Sequence, residues 1–314
     1  MRDFLRRRWF MIALLAILCG GITAPETLAP LANRVPQKSM IAAVLLATSL
    51  PLHIGAFVGT LRSPGPTLLA TAANYALLPA VAWAGAFLLP SEFRLGLFVA
   101  VAAPCTLASA AVWTRLAGGN PATAIMVTII TNLGCFLGTP ALMWLLSGRT
   151  AEGLSFVETA QKLLVLIVCP LVAGQLLRLL PPVRHWASRS GALVSAIGQT
   201  GVLVIAFVGS VYCGATLRSL GDGLAALTWQ IPWMIACISA VHLAAWRGSY
   251  RAAAWFGMPR EEQIAVGFAG AQKTLTVALA LSLEYGGLTI LPVLTHHILQ
   301  LVIDTFIADR LRKD

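Results

Sequence analysis

One apolar stretch sets a lysine where lysines are costly. Residues 265–280 read AVGFAGAQKTLTVALA, with Gln272, Lys273 and Thr274 at the middle. No other charged residue lies within eight positions of Lys273 on either side. An ammonium at membrane depth costs about 2.5–3.5 kcal/mol on insertion scales, so it faces a cavity or a partner and marks a pathway. Gly267 and Gly270 just before it lower helix propensity. The expectation is a discontinuous helix that opens there, with Lys273 at the break. A lysine snorkelling from near a helix end is the plainer alternative.

A second interruption lies at Pro104, in residues 102–111 (AAPCTLASAA), because proline removes a backbone donor in mid-helix. Cys105, Thr106 and Ser109 follow it directly. Thr128, Thr131 and Asn132 are spaced i, i+3 and i+4, which puts three polar side chains on one helix face. They suit the lining of a polar crossing, or hydrogen bonds between helices. Asn74 stands in another apolar run. His296 and His297 could carry protons or serve as hydrogen-bonded packing residues. Asp304 and Asp309 are expected to pair with neighbouring bases.

The elements that must hold these residues follow from composition. The 314 residues are 58% hydrophobic and 11% charged, with a mean hydropathy of +0.82. A soluble domain cannot hide that much apolar surface, so the class is an all-α polytopic membrane protein. A net charge of +10 raises nucleic acid as a partner, but the arginines fall in short interhelical loops and form no patch. The six cysteines lie in apolar segments without metal-ligand spacing and read as small buried residues, so no metal is expected. No HExxH or GxSxG sequence occurs, which speaks against an enzyme.

Ten spans are predicted, near 9–30, 37–60, 65–89, 92–117, 121–147, 157–180, 190–213, 225–247, 261–282 and 287–308. The basic start followed by an apolar run is read as a retained first span, not a cleaved signal. With both termini cytoplasmic, the inner loops and ends collect fifteen basic residues against six outside. The spans divide into two sets of five, residues 1–148 and 149–314, and an odd number per half inverts the second relative to the first. The fourth span of each half is the interrupted one. Such paired interruptions mark transport sites at the repeat interface.

These residues resemble the bile acid:sodium symporter family, and more closely its bacterial bile-acid-symporter-like branch. The motifs are APCT at 103–106, TRLAGGN at 114–120, TIITNLGCFLGTP at 128–140, GAQKTL at 270–275 and LPVLTHHILQL at 291–301. The resemblance spans nearly the whole chain. It implies ten helices in a panel and a core domain, with the fourth and ninth helices unwinding and crossing. It implies amphipathic organic anions as substrates, such as bile acids, sulfated steroids, pantoate or pyruvate, with arsenite export in a distant branch. The family's histidine corresponds to His297.

The family's two sodium ions are held after the break in helix four, in helix five and in helix nine. On this chain the Ser-Asn pair of helix four becomes Ala110-Ala111, and a helix-five hydroxyl becomes Ala124 while Thr128 stays. The helix-nine Glu becomes Phe268, Gln272 stays, and Lys273 follows. The helix-three amide is Asn74. Lys273 therefore stands where it can supply the charge that sodium supplies. The arsenite branch uses a pore cysteine, but here Trp113 lies one residue further from Cys105 than that pattern requires.

The expected function is transport of a small organic anion across a bacterial inner membrane by alternating access, without two-sodium coupling and without a cofactor. The expected site comprises Asn74, Pro104, Cys105, Thr106, Ser109, Thr128, Thr131, Asn132, Gln272, Lys273, Thr274 and His297. The partners are the substrate anion and the lipid bilayer. The alternatives are a sodium-coupled symporter of the same fold, an arsenite-type exporter, and a membrane regulator that does not transport.

Overall fold

The computed structural model describes residues 2–51, 64–107, 109–148, 155–219 and 229–312, and within them regular structure is helical throughout. The first span is bent. α1 (Arg2–Thr23) gives way to α2 (Pro25–Ala32) at an angle of 111°, where Pro25 starts a new helix without a backbone donor. α3 (Gln37–Ser49) follows, and the rest of the predicted second span lies outside the described residues.

α4 (Gly65–Ala86) contains a π turn over Ala73–Leu77. α5 (Ser91–Ala102) and α6 (Ser109–Leu116) are the two halves of the predicted fourth span, separated around Pro104. α7 (Pro121–Ser147) is continuous and capped by the Asn120 side chain, which accepts from the Ala122 N–H. α8 (Phe156–Arg178) opens with a capping box of Ser155 and Glu158.

The Pro181-Pro182 segment, expected as a loop, forms the short helix α9 (Pro181–Arg189), since proline is accommodated in a first helical turn. α10 (Gly191–Ser219) and α11 (Gln230–Trp255) come next, and the predicted start of the eighth span falls on undescribed residues. α12 (Arg260–Ala271) and α13 (Leu275–Tyr285) are the second broken pair, and α14 (Ile290–Leu311) closes the described chain.

Six helical segments among the described residues are long and apolar enough to cross a membrane, or seven with the bent first pair. The α12–α13 segment has an apolar window that is entirely buried, against 33–61% for the other five. A helix apolar on all sides belongs in the centre of a bundle, and this one has α4, α7, α11 and α14 around it. α1, α3, α8 and α10 pack as a second group, which α7 and α13 meet.

Glycines set several of these distances. Gly267 and Gly270 do not open α12, which runs helical through both. They admit close neighbours: a Cβ on Gly270 would lie 2.7 Å from Ser249 Oγ and 2.9 Å from Ala73 Cβ. Two of the six cysteines, Cys19 and Cys169, are exposed on the helix surface, because the apolar helices carrying them turn those faces outward.

α1 and α10 approach closely at Gly214, where a Cβ would meet backbone atoms of Gly21 and Ile22 at 2.7–2.8 Å. Gly214→Ala is expected to destabilise the protein by about 1–3 kcal/mol through overpacking. Gly20→Ala, with nothing within 4 Å, should leave the melting temperature in detergent unchanged.

Candidate functional site at the crossing of two broken helices

A helix interrupted inside a membrane exposes backbone groups that water cannot reach. At the first break, Ala103 turns extended and Pro104 offers no N–H. α7 completes the break with one face. Thr131 Oγ1 accepts from the Cys105 N–H at 3.1 Å, and Asn132 Nδ2 donates to the Cys105 carbonyl at 2.7 Å. Thr128 Oγ1 donates to the Thr106 carbonyl at 2.9 Å, and Thr139 Oγ1 to the Ala102 carbonyl at 2.8 Å. The i, i+3, i+4 pattern read from the sequence is therefore the edge that receives the unwound strand.

At the second break, Gln272 and Thr274 are extended. Gln300 of α14 answers Lys273 on both sides: Oε1 accepts from its N–H at 3.0 Å, and Nε2 donates to its carbonyl at 2.8 Å. Asn74 Nδ2 donates to the carbonyls of Ala269 and Gln272 at 2.9 and 3.1 Å. The breaks also meet directly, since the Thr274 N–H donates to the Pro104 carbonyl at 2.9 Å. Two interruptions thus share one backbone bond.

Lys273 is 2% exposed and its ammonium has a built seat. Nζ donates to Asn74 Oδ1 at 2.8 Å and to the Asn74 backbone carbonyl at 2.9 Å. That carbonyl is free for a reason of sequence. In the π turn the Leu78 N–H goes to Ala73, and Pro79 has no N–H to offer. The face of Tyr75 lies 5.5 Å from Nζ, and its hydroxyl donates to the Thr131 carbonyl at 2.6 Å.

A second polar chain leaves the crossing toward α11. Ser109 Oγ, in the first turn of α6, donates to Gln272 Oε1 at 2.9 Å, and Gln272 Nε2 donates to Asp304 Oδ2. Asp304 Oδ1 lies 2.9 Å from His242 Nε2, and both side chains are fully buried. Asp304 thus pairs with a base as expected, but that base is a buried histidine of α11, and an amide holds its other oxygen. Asp309, expected to pair likewise, is exposed.

Every candidate residue from the sequence lies in this region. Thr128, Thr131 and Asn132 hold the first break at the backbone of Cys105 and Thr106, Asn74 holds the second and seats Lys273, and Thr274–Pro104 and Gln272–Ser109 join the two. His297 Nδ1 meets Gln300 Nε2 at 2.9 Å, one residue removed from Lys273. Cys105 is fully buried with its Sγ 3.7 Å from Thr128 Oγ1. Tyr75, His242 and Gln300 had not been singled out. The Leu78-Pro79 pair could have pointed to Tyr75, and the position of Gln300 one helical turn after His297 was a usable signal.

Two cavities, of about 630 and 270 Å3, lie away from the crossing and touch none of these residues. The larger is lined by Arg115, Arg260 and Arg312 where α6 ends and α12 begins. Beside the first break, Ala110, Ala124, Cys105 and Val127 form a fully buried apolar cluster with Val266 and Ala269.

The model of the SBF-like CPA transporter family matches residues 8–313. The chain belongs to that family. Its resemblance to the bile acid:sodium symporters stands, and it is an integral membrane protein. Curated relatives are distant. An uncharacterized protein of Pseudomonas aeruginosa is 26% identical over 70% of this chain and 66% of its own. The uncharacterized sodium-dependent transporter YocS of Bacillus subtilis is 29% identical over 58% and 55%. Sodium/bile acid cotransporter 7-B of Xenopus laevis is 25% identical over 65% and 61%. The matched segments span less than two thirds of the length of each relative. The family points to a transporter rather than an enzyme.

Gln300→Leu removes both partners of the Lys273 backbone and leaves two buried polar groups unmatched. At about 1–3 kcal/mol for each group, the purified protein should melt well below wild type. Gln300→Glu, which keeps the acceptor, should recover part of the loss.

Proposed function

We propose that the protein is a secondary transporter of a small organic anion, working by alternating access around the α5–α6 and α12–α13 crossing. The observation that carries this reading is the Thr274–Pro104 backbone bond, with a buried cation beside it. Two broken helices joined at mid-bundle have their half-helix starts, at Ser109 and Leu275, directed at one place. Partial positive charge gathers at such starts and favours a carboxylate or sulfate. On this reading the ten spans form two inverted repeats, residues 1–148 and 149–314, in a bacterial inner membrane with both termini cytoplasmic.

Lys273 acts in this scheme as a tethered cation in place of sodium. Its ammonium is held by two carbonyl oxygens of one residue, a donor set suited to a small hard cation. The oxygen ligands that the symporters use near the first break are replaced by the apolar cluster of Ala110 and Ala124, and Phe268 packs against Trp246 where a carboxylate would stand. A sodium ion about 4 Å from the ammonium would be repelled by roughly 4 kcal/mol at an effective dielectric of about 20. The names of the relatives favour a second reading, a sodium-coupled symporter of this fold.

Taurocholate uptake into proteoliposomes separates the two. Equal rates in sodium and potassium buffers are expected, and Lys273→Ala should abolish uptake in a protein that still runs as a single species on gel filtration. A saturable sodium requirement in wild type would favour the symporter, and undiminished uptake by Lys273→Ala would defeat the role of the lysine.

A further inference from the structure

The tethered cation leaves one buried ionisable pair unexplained. Asp304 and His242 sit in contact at 2.9 Å with neither side chain exposed, and Gln272 Nε2 holds the other Asp304 oxygen. A carboxylate in a membrane interior is expensive and is retained where it pairs or relays. A fixed pair that served only to join α11 and α14 would need no tie to the moving part. This one is tied to Gln272, at the break itself, and through Gln272 Oε1 to Ser109 at the start of α6. The outward nitrogen of the pair, His242 Nδ1, has no hydrogen-bond partner among the described residues, nor has His296 Nε2 on the ring set edge-on 5.9 Å away.

We propose that the His242–Asp304 pair is a proton-binding site, and that its proton accompanies the substrate anion across the membrane. The proposal rests on the anion reading above. At the crossing, Lys273 as an ammonium and Asp304 as a carboxylate balance one another. An arriving monovalent anion adds a negative charge that low dielectric makes costly. A proton from water bonding to His242 Nδ1 restores the balance, while Nε2–H continues to donate to Asp304. Release of that proton on the far side returns the neutral imidazole. Gln272 lets the break register the change, because its amide is bonded to the carboxylate whose charge is being offset.

The other ionisable groups facing the pair are few. Lys273 and Cys105 approach from the two breaks, and His296 and His297 from α14 itself. The charged side chains of the packed helices lie away: Arg115 of α6, Arg218 of α10, and Arg247 and Arg251 of α11 are exposed, Arg94 of α5 is half-exposed, and Glu284 of α13 is paired with Lys162.

Two measurements on the full chain in bilayers test the pair. With 15N-labelled histidine, the Nδ1 resonance of His242, assigned by its loss in His242→Gln, should change from bare to protonated between alkaline and acidic buffer. Asp304→Asn should abolish that change. In proteoliposomes filled with a pH dye, taurocholate uptake should acidify the lumen one-for-one, since its sulfonate cannot ferry a proton itself. His242→Gln should remove the acidification. An Nδ1 signal that stays bare throughout in wild type overturns the proposal without any variant needing to fold. So does taurocholate uptake with no acidification. If taurocholate does not enter at all, the anion reading is at fault, and the nitrogen spectrum decides the proton site alone.

Discussion

The structure depends on one constraint: a backbone opened inside a membrane must find its hydrogen bonds within the protein. Two helices are opened here, and the solution is mutual. The Thr274 N–H is answered by the Pro104 carbonyl, so each break settles part of the other. The remaining groups are taken by Thr128, Thr131, Asn132 and Thr139 of α7 on one side, and by Gln300 and Asn74 on the other. None of these residues is free to change alone. The crossing is thereby held together as one unit.

The lysine extends the same rule to a charge. Pro79 and the π turn leave the Asn74 carbonyl without a helical donor, and the Lys273 ammonium fills that place. A proline in one helix and a lysine in another are therefore two halves of one arrangement. The opposite side of the crossing has gone the other way. There the small apolar side chains of Ala110, Ala124 and Val127 close around Cys105 and leave no polar seat. The ammonium sits at the second break, while the first is met by neutral hydroxyls and an amide on one side and by this apolar cluster on the other.

Much of this was legible in the sequence. A lysine amid sixteen largely apolar residues and a proline in another apolar run located both breaks to within a few positions, because membrane burial leaves so little room for either. Helical spacing placed Thr128, Thr131 and Asn132 on one face correctly. The partners across the crossing were not legible. Gln300, His242 and Asp304 are far from Gln272 and Lys273 in sequence, and a single polar residue in an apolar helix does not name its neighbour. Gly267 and Gly270 were misread for a related reason: low helix propensity and close packing have the same sequence signature, and only the positions of Ser249, Ala73 and Trp246 distinguish them. Proline starts a new helix at Pro25, inside a span read as continuous, and at Pro181, where a loop was expected.

Lys273 and Asn74 form a single unit at the crossing. A double-mutant cycle on the melting of the purified protein, with Lys273→Met, Asn74→Leu and the two combined, tests it most directly. Each single change should be strongly destabilising, and the double should cost little more than either, giving a coupling of about 1–3 kcal/mol. Costs that simply add would contradict the account and reduce the ammonium to a neighbour of Asn74 without a partner's role.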